Sequence, residues 1–331
     1  MRTAAVSTVT FILFLLAFEL LFRFVVYVDK GSREDRYLVL PHGVLGWSLN
    51  TRMRPKHLKN RCGEPVAMAA APHHLILKYP RTNGVKKIVF LGDSFTHAHE
   101  VSTGMAYYDV FEQLEAENYA VYAVAVGGYG NLQEYMALQD VFDEIQPDIV
   151  VWQLTGNDIS NNVFELDDSS VRNNQRPRPY LDPEDGVIRL QDPGFWLFDW
   201  SEGFAFLFEK LLILDSRYDL GLIRWLDSLG SMDEGSREKL DARGLAVLDI
   251  LIKRAVKTYP DTTFIGFSIG PKFDNEYEEI FTGNGALYLP AFYESLDAVE
   301  HTDCRPLDNH WNHAGNAVAG KILSERLRQI L

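Results

Sequence analysis

The chain has 331 residues, a hydrophobic content of 47% and a formal net charge of −14, enough for one large α/β domain with insertions or two modest ones. The acidic balance excludes an electrostatic nucleic-acid binder, which needs a basic stripe to neutralise phosphates. The two cysteines, Cys62 and Cys304, have neither the paired spacing nor the nearby ligands of a zinc site, and they could pair only in an oxidising compartment.

The stretch from Ala4 to Val28, AAVSTVTFILFLLAFELLFRFVVYV, is almost wholly apolar. As a helix it would span about 37 Å against a hydrocarbon core of about 30 Å, so residues 1–28 read as one N-terminal transmembrane helix. A cleavable signal peptide is the rival, but no small-x-small cleavage site follows the apolar run. Glu19 and Arg23 interrupt it at i and i+4, the order in which opposite charges pair on one helix face. Orientation stays open on charge alone, with Arg2 on one side and Lys30, Arg33 and Arg36 on the other. Residues 29–84 lack clear periodicity and read as a stalk and irregular cap.

From residue 85 the pattern changes. VKKIVFLGDS is a buried strand entering a turn, and MAYYDVFEQLEAENY has helical spacing. AVYAVAVGGYG is a second strand, NLQEYMALQDVFDEIQP a helix closed by Pro147, and DIVVWQLTGND a third strand. This alternation predicts a parallel sheet. It breaks over residues 160–234, an insertion with a polar loop and an aromatic-rich run containing Phe195, Trp196, Phe198, Trp200, Phe204, Phe206 and Phe208. A satellite core, a lid, a sugar-stacking surface and a face against a bilayer all fit those aromatics. A long helix, SREKLDARGLAVLDILIKRAVKTYP, and the strand TTFIGFSIG resume the pattern, LYLPA reads as a further short strand, and NHAGNAVAGKILSERLRQIL closes the chain as a helix.

Four stretches are unusual together: GDSF at 92–95, GGYG at 127–130, TGND at 155–158 and LDNHWN at 307–312. A parallel sheet would bring the three strand ends to one edge, where open α/β folds place their ligands. A serine hydroxyl needs a base within hydrogen-bond reach, and an imidazole is the side chain best matched to taking and returning its proton near neutrality. His310 can be that base for Ser94, and Asp308 can accept the other ring N–H. The N–H groups of Ser94 and Gly128 and the Asn157 amide are candidate donors to an oxyanion. Each residue also has a plain local reading as a cap, a turn glycine or an Asx turn.

These residues resemble the SGNH hydrolase (GDSL esterase) superfamily, whose four blocks are a serine in G-D-S, a glycine, an asparagine in G-x-N-D, and an aspartate and histidine near the C-terminus. The likeness covers roughly residues 85–160 and 236–331. It implies a flavodoxin-like α/β/α sandwich with a mostly parallel sheet, Ser94 as nucleophile, Gly128 and Asn157 as oxyanion donors, His310 as base and Asp308 as its partner. Two departures stand out: Ala123 and Ala125 occupy a strand that carries Asn-x-Gly in many relatives, and the acid-to-base spacing is D-x-H instead of D-x-x-H. The chain looks like the bacterial branch that acylates exported polysaccharides, which implies a membrane-anchored protein with its 85–331 domain in the periplasm or outside the cell.

The resulting expectation is an enzyme, a serine esterase or O-acyltransferase acting through an acyl-enzyme on an O-acetylated or O-acylated carbohydrate. It would need no cofactor and no metal, and it would work at the membrane, with a membrane acyltransferase as a candidate partner. A catalytically idle polysaccharide-binding or scaffold module is the alternative. His73, His74, His97, His99 and His313 lack carboxylate or cysteine neighbours at ligand spacing, and His99, close behind the nucleophile, could line an acyl pocket. If Cys62 and Cys304 pair, the loop carrying Asp308 and His310 is tied to the cap.

Overall fold

The structure is a computed structural model and describes residues 10, 13–24, 35, 37–81, 85–170, 176–193, 201, 203, 207–208, 211, 214–215, 220–222, 225, 232–305 and 308–331, the side chain of Asp308 excepted. In chain order the strands are β1 (Val39–His42), β2 (Gly46–Leu49), β3 (Lys56–Lys59), β4 (Pro65–Met68), β5 (Ile76–Lys78), β6 (Lys86–Gly92), β7 (Tyr119–Ala125), β8 (Ile149–Leu154), β9 (Arg178–Leu181), β10 (Ile188–Gln191), β11 (Thr263–Ser268), β12 (Leu287–Leu289), β13 (Asp303–Cys304) and β14 (Asp308–Trp311). The helices are α1 (Ser94–His97), α2 (Tyr107–Leu114), α3 (Asn131–Ile145), α4 (Gly156–Asn161), α5 (Phe164–Asp168), α6 (Glu234–Thr258), α7 (Asp274–Gly283), α8 (Phe292–Asp297) and α9 (His313–Ile330).

The central sheet has the order β12-β11-β8-β6-β7-β5. All its pairs are parallel except β5 with β7. Counting only the parallel strands in chain order gives 2-1-3-4-5, the flavodoxin-like order, whose reversal between β6 and β8 opens a crevice at the carboxyl ends of those two strands. The five parallel strands are short runs of mostly buried apolar residues because helices cover both faces. On one face Leu138 and Val141 of α3 pack with Leu248 and Leu251 of α6 and Phe281 of α7. On the other, Tyr107 and Phe111 of α2 pack with Leu323 and Leu327 of α9.

The cap is more regular than its sequence suggests. Residues 39–49 and 56–68 form two antiparallel hairpins, and Ile76–Lys78 enters the main sheet as its antiparallel edge, so the sheet begins ahead of residue 85. Lys78 and Arg81 are fixed there by an ion cluster buried except for Arg81: Lys78 Nζ lies 2.7 Å from Glu112 and 3.2 Å from Asp109, and Arg81 Nε lies 2.7 Å from Glu112. Within the expected 160–234 insertion lie α5 and the β9–β10 hairpin. Of the seven aromatics named above, Phe208 alone is described and is half-buried; the other six lie outside the described residues.

Residues 13–24 are helical, with Leu13, Phe14, Leu16, Leu20 and Phe24 exposed. Glu19 pairs with Arg23 at 2.7 Å, as the i, i+4 spacing predicts, and accepts from Ser201 Oγ at 2.7 Å and Gly203 N at 3.2 Å. Among the described residues no helix is long and apolar enough to cross a membrane; the crossing expected over residues 4–28 extends beyond the described helix at both ends.

Candidate active site

The Gly92–Asp93–Ser94 turn follows β6 directly. Asp93 caps the one-turn α1, its Oδ1 accepting the Phe95 N–H at 3.1 Å. Gly92 is required by crowding, since a Cβ there would lie 2.5 Å from both Gln153 Oε1 and Thr96 Oγ1. The turn presents the Ser94 hydroxyl at the sheet edge, where its Oγ lies 2.8 Å from His310 Nε2 and 3.2 Å from Asp93 Oδ2. The expected base and nucleophile, 216 positions apart in sequence, therefore stand at hydrogen-bond distance.

His310 sits on β14, which pairs with β13 through Cys304↔Asp308 and Asp303↔Trp311. Its ring packs on Phe95 at 4.7 Å and faces His99 at 5.4 Å. Behind His310, Asn312 caps α9 by accepting the Gly315 N–H at 3.0 Å and donates from Nδ2 to His301 O at 2.9 Å. Cys62 of the cap and Cys304 of β13 form a disulfide, with Cα atoms 5.1 Å apart.

The second wall is the turn after β7. Gly128 takes φ +83°, a left-handed conformation that favours glycine. Gly127 is held from two sides: its N–H donates to His97 Nδ1 at 3.0 Å, and its carbonyl accepts from Trp47 Nε1 at 3.1 Å. Neither holder was marked by a motif. His97 must be neutral to accept, and burial, with His99 and His310 close by, pushes its pKa down to about 3. Trp47 lies in the cap, and Tyr129, in the same glycine turn, donates to its carbonyl at 2.5 Å.

The third wall follows β8. Asn157 projects from the start of α4, and its Nδ2 donates to Asn161 Oδ1 at 3.2 Å and Asp93 Oδ2 at 3.5 Å. Beneath it lies a buried polar layer that the sequence did not reveal: Trp152 Nε1 donates to Glu134 Oε2 at 2.7 Å, and Asn131 Nδ2 donates to Glu134 Oε2 at 3.2 Å and Asp158 Oδ2 at 3.3 Å. Burial, together with the Asp158 and Asp93 carboxyls, pushes Glu134 up.

Ser94, Gly128, Asn157 and His310 line one cavity of about 1110 Å³, slightly beyond the usual ~300–1,000 Å³ of small-molecule pockets. Arg176, Arg237 and Lys56 also line it, and Arg176 stacks over Trp47 at 5.5 Å. The one carboxylate in the lining among the described residues, Asp167, is committed to Arg178 at 2.9 Å and Tyr180 at 2.8 Å. His99 lines the same cavity and lies 3.3 Å from Glu100. His313 is placed structurally, its Nε2 accepting from Ser102 N at 3.2 Å and its Nδ1 lying 3.0 Å from Glu64. Among the described residues no group of histidine, cysteine and carboxylate side chains could hold a metal ion.

Comparison of the whole fold with solved structures finds TesA, at a TM-score of 0.44 and 13% identity, covering 74% of this chain and 100% of that one. It also finds the psychrotrophic esterase EstA from Pseudoalteromonas sp., at 0.43 and 10%, covering 74% and 98%. The acetyl xylan esterase Est2A from Butyrivibrio proteoclasticus aligns at 0.40 and 13%, covering 81% and 67%. No family model matches the sequence, and no match is found among curated proteins.

Proposed function

We propose that the chain is a serine esterase of the SGNH type that removes acetyl or other acyl groups from a carbohydrate. The observation that carries this reading is the 2.8 Å approach of His310 Nε2 to Ser94 Oγ at the switch point of the sheet, in a cavity also lined by Gly128 and Asn157. In this reading His310 takes the Ser94 proton as Oγ attacks the ester carbonyl. The negative charge that develops on the carbonyl oxygen is met by the backbone N–H groups of Ser94 and Gly128 and by Asn157 Nδ2. His310 then gives its proton to the departing alcohol, leaving an acyl group on Ser94. Water, activated by the same ring, releases the acid; a sugar hydroxyl in its place would complete a transfer. Asp308 serves as the acid that keeps the imidazole proton on Nδ1.

A carbohydrate substrate is supported by the cavity's size and by its polar lining of asparagine, serine and arginine side chains. Export and anchoring are further parts of the proposal. They are supported by the disulfide, which persists in oxidising compartments, and by the exposed apolar side chains of residues 13–24. Labelling the purified protein with a fluorophosphonate, mapped by mass spectrometry, tests the chemistry. Modification at Ser94, together with loss of p-nitrophenyl acetate hydrolysis in Ser94→Ala, is the expected result. An unlabelled, folded protein would leave an idle carbohydrate-binding module as the better reading.

A further inference from the structure

The hydrogen-bond inventory under Asn157 closes in only one way. Asn161 donates from Nδ2 to Asp167 Oδ1 at 3.2 Å, so it turns its Oδ1 toward Asn157. Asp93 Oδ2, the other group there, is also an acceptor. The end of the Asn157 amide that meets them is therefore the NH₂ group, and its Oδ1 faces Thr155 Oγ1 at 2.5 Å. An amide oxygen cannot donate, so the single Thr155 hydroxyl hydrogen goes to Asn157.

This leaves the contact between Thr155 Oγ1 and Asp158 Oδ1, 2.9 Å apart, without a hydrogen unless Asp158 supplies it. Asp158 Oδ2 already accepts from Thr155 N at 2.8 Å and from Asn131 Nδ2 at 3.3 Å. We infer that Asp158 is a neutral carboxylic acid whose Oδ1–H donates to Thr155 Oγ1, and that Thr155 in turn donates to Asn157 Oδ1, a relay that fixes the Asn157 amide with its NH₂ group toward Asp93 and Asn161 at the cavity edge. The inference rests on the esterase reading for its consequence, since Asn157 is there the oxyanion donor.

The surroundings agree. Asp158 is wholly buried, and the titratable groups facing it are Asp93 after β6, Glu134 on α3 and Tyr277 on α7, whose hydroxyl donates to Thr155 O at 2.7 Å. None of these is a cation. Burial and the Asp93 carboxyl push Asp158 well above the usual carboxylate range. An ionised acid here would oppose two other carboxyls with no counter-ion among the described residues, which low-dielectric sites do not tolerate.

Thr155 and Asp158 are positioning residues, acting through Asn157. Thr155→Val removes the hydroxyl at constant volume and should lower kcat on p-nitrophenyl acetate by on the order of tenfold, less than the ~10²–10³ of deleting the donor itself, with KM within about twofold. Thr155→Ser should restore kcat. Asp158→Asn reproduces the neutral acid, its NH₂ donating to Thr155, and should stay near wild type. In an Asn157→Ala background Thr155→Val should cost nothing more. An infrared difference spectrum between wild type and Asp158→Asn at neutral pH should show loss of a protonated carboxylic acid band. Loss of an ionised carboxylate band, or a fully additive Thr155→Val/Asn157→Ala pair, overturns the relay. If Ser94→Ala keeps wild-type turnover the esterase reading itself fails, while the infrared result still decides the protonation of Asp158.

Discussion

Acidification should destabilise this protein through His97, by an amount that its surroundings set. Its Nδ1 accepts the Gly127 N–H at 3.0 Å, which requires a neutral ring carrying its hydrogen on Nε2, and burial beside His99 and His310 holds its pKa at about 3. In the unfolded chain the same ring titrates near 6.5. Above that value both states leave it neutral and it carries no linkage. Between ~6.5 and ~3 the unfolded chain binds a proton that the native state refuses, so the native state loses ground steadily as the pH falls. At about pH 5 the two titration curves differ by roughly 2 kcal/mol, an upper figure because one edge of the ring lines the cavity. Urea unfolding of wild type and His97→Asn at about pH 7.5 and about pH 5 measures it: the wild type should lose about 2 kcal/mol more than the variant over that interval. Equal losses in the two proteins would refute the reasoning.

Three further outcomes are expected. Reducing the Cys62–Cys304 bridge, which spans a separation of 242 residues, should lower the unfolding free energy by up to about 5 kcal/mol on the chain-entropy model and lower kcat, since Cys304 pairs with the Asp308 backbone; unchanged melting on reduction would count against it. Lys78→Met leaves Asp109 and Glu112 buried beside Arg81 alone and should cost roughly 3–5 kcal/mol, read by denaturant titration; a cost below about 1 kcal/mol would mean that Arg81 and solvent suffice. Gly46→Ala forces a side chain into φ +83° with its Cβ 1.8 Å from Pro177 O, so it should cost more than the ~1 kcal/mol of an ordinary glycine effect, and an unchanged melting temperature would show that the β1–β2 turn gives way freely.

Much of the sheet was readable because parallel strands covered on both faces appear as short apolar runs, and KKIVFLG, YAVYAVA and IVVWQL are such runs. The glycine and serine punctuation after them marked the crevice. The edge strand Ile76–Lys78 was not legible, since three residues carry no period and its place depends on pairing with β7. The cap hairpins were hidden for a related reason: Lys56–Lys59 is exposed along most of its length and shows no apolar alternation. Ser94 and His310 could be named from motif, but the holders of the site could not. Trp47 reaches Gly127 across 80 positions of sequence, and His97 had only its nearness to Ser94 to mark it. Asp158 reads as a capping residue locally; its burial against Glu134 and Asp93 is a property of the folded layer alone.

In the proposed esterase reading, the long separation of nucleophile and base also times the appearance of activity during biogenesis. Ser94 and His310 are 216 positions apart, so at ribosomal rates of ~5–20 residues per second His310 is made roughly 10–40 s after Ser94. Once residue 154 has been made, β6, β7 and β8 can assemble around Ser94 while His310 is still to come. The bridge from Cys62 must likewise wait for Cys304. On that reading the nascent chain passes its synthesis with an unactivated hydroxyl, and reactivity toward a fluorophosphonate should appear only in chains long enough to include β14 and the α9 helix that packs it onto α2.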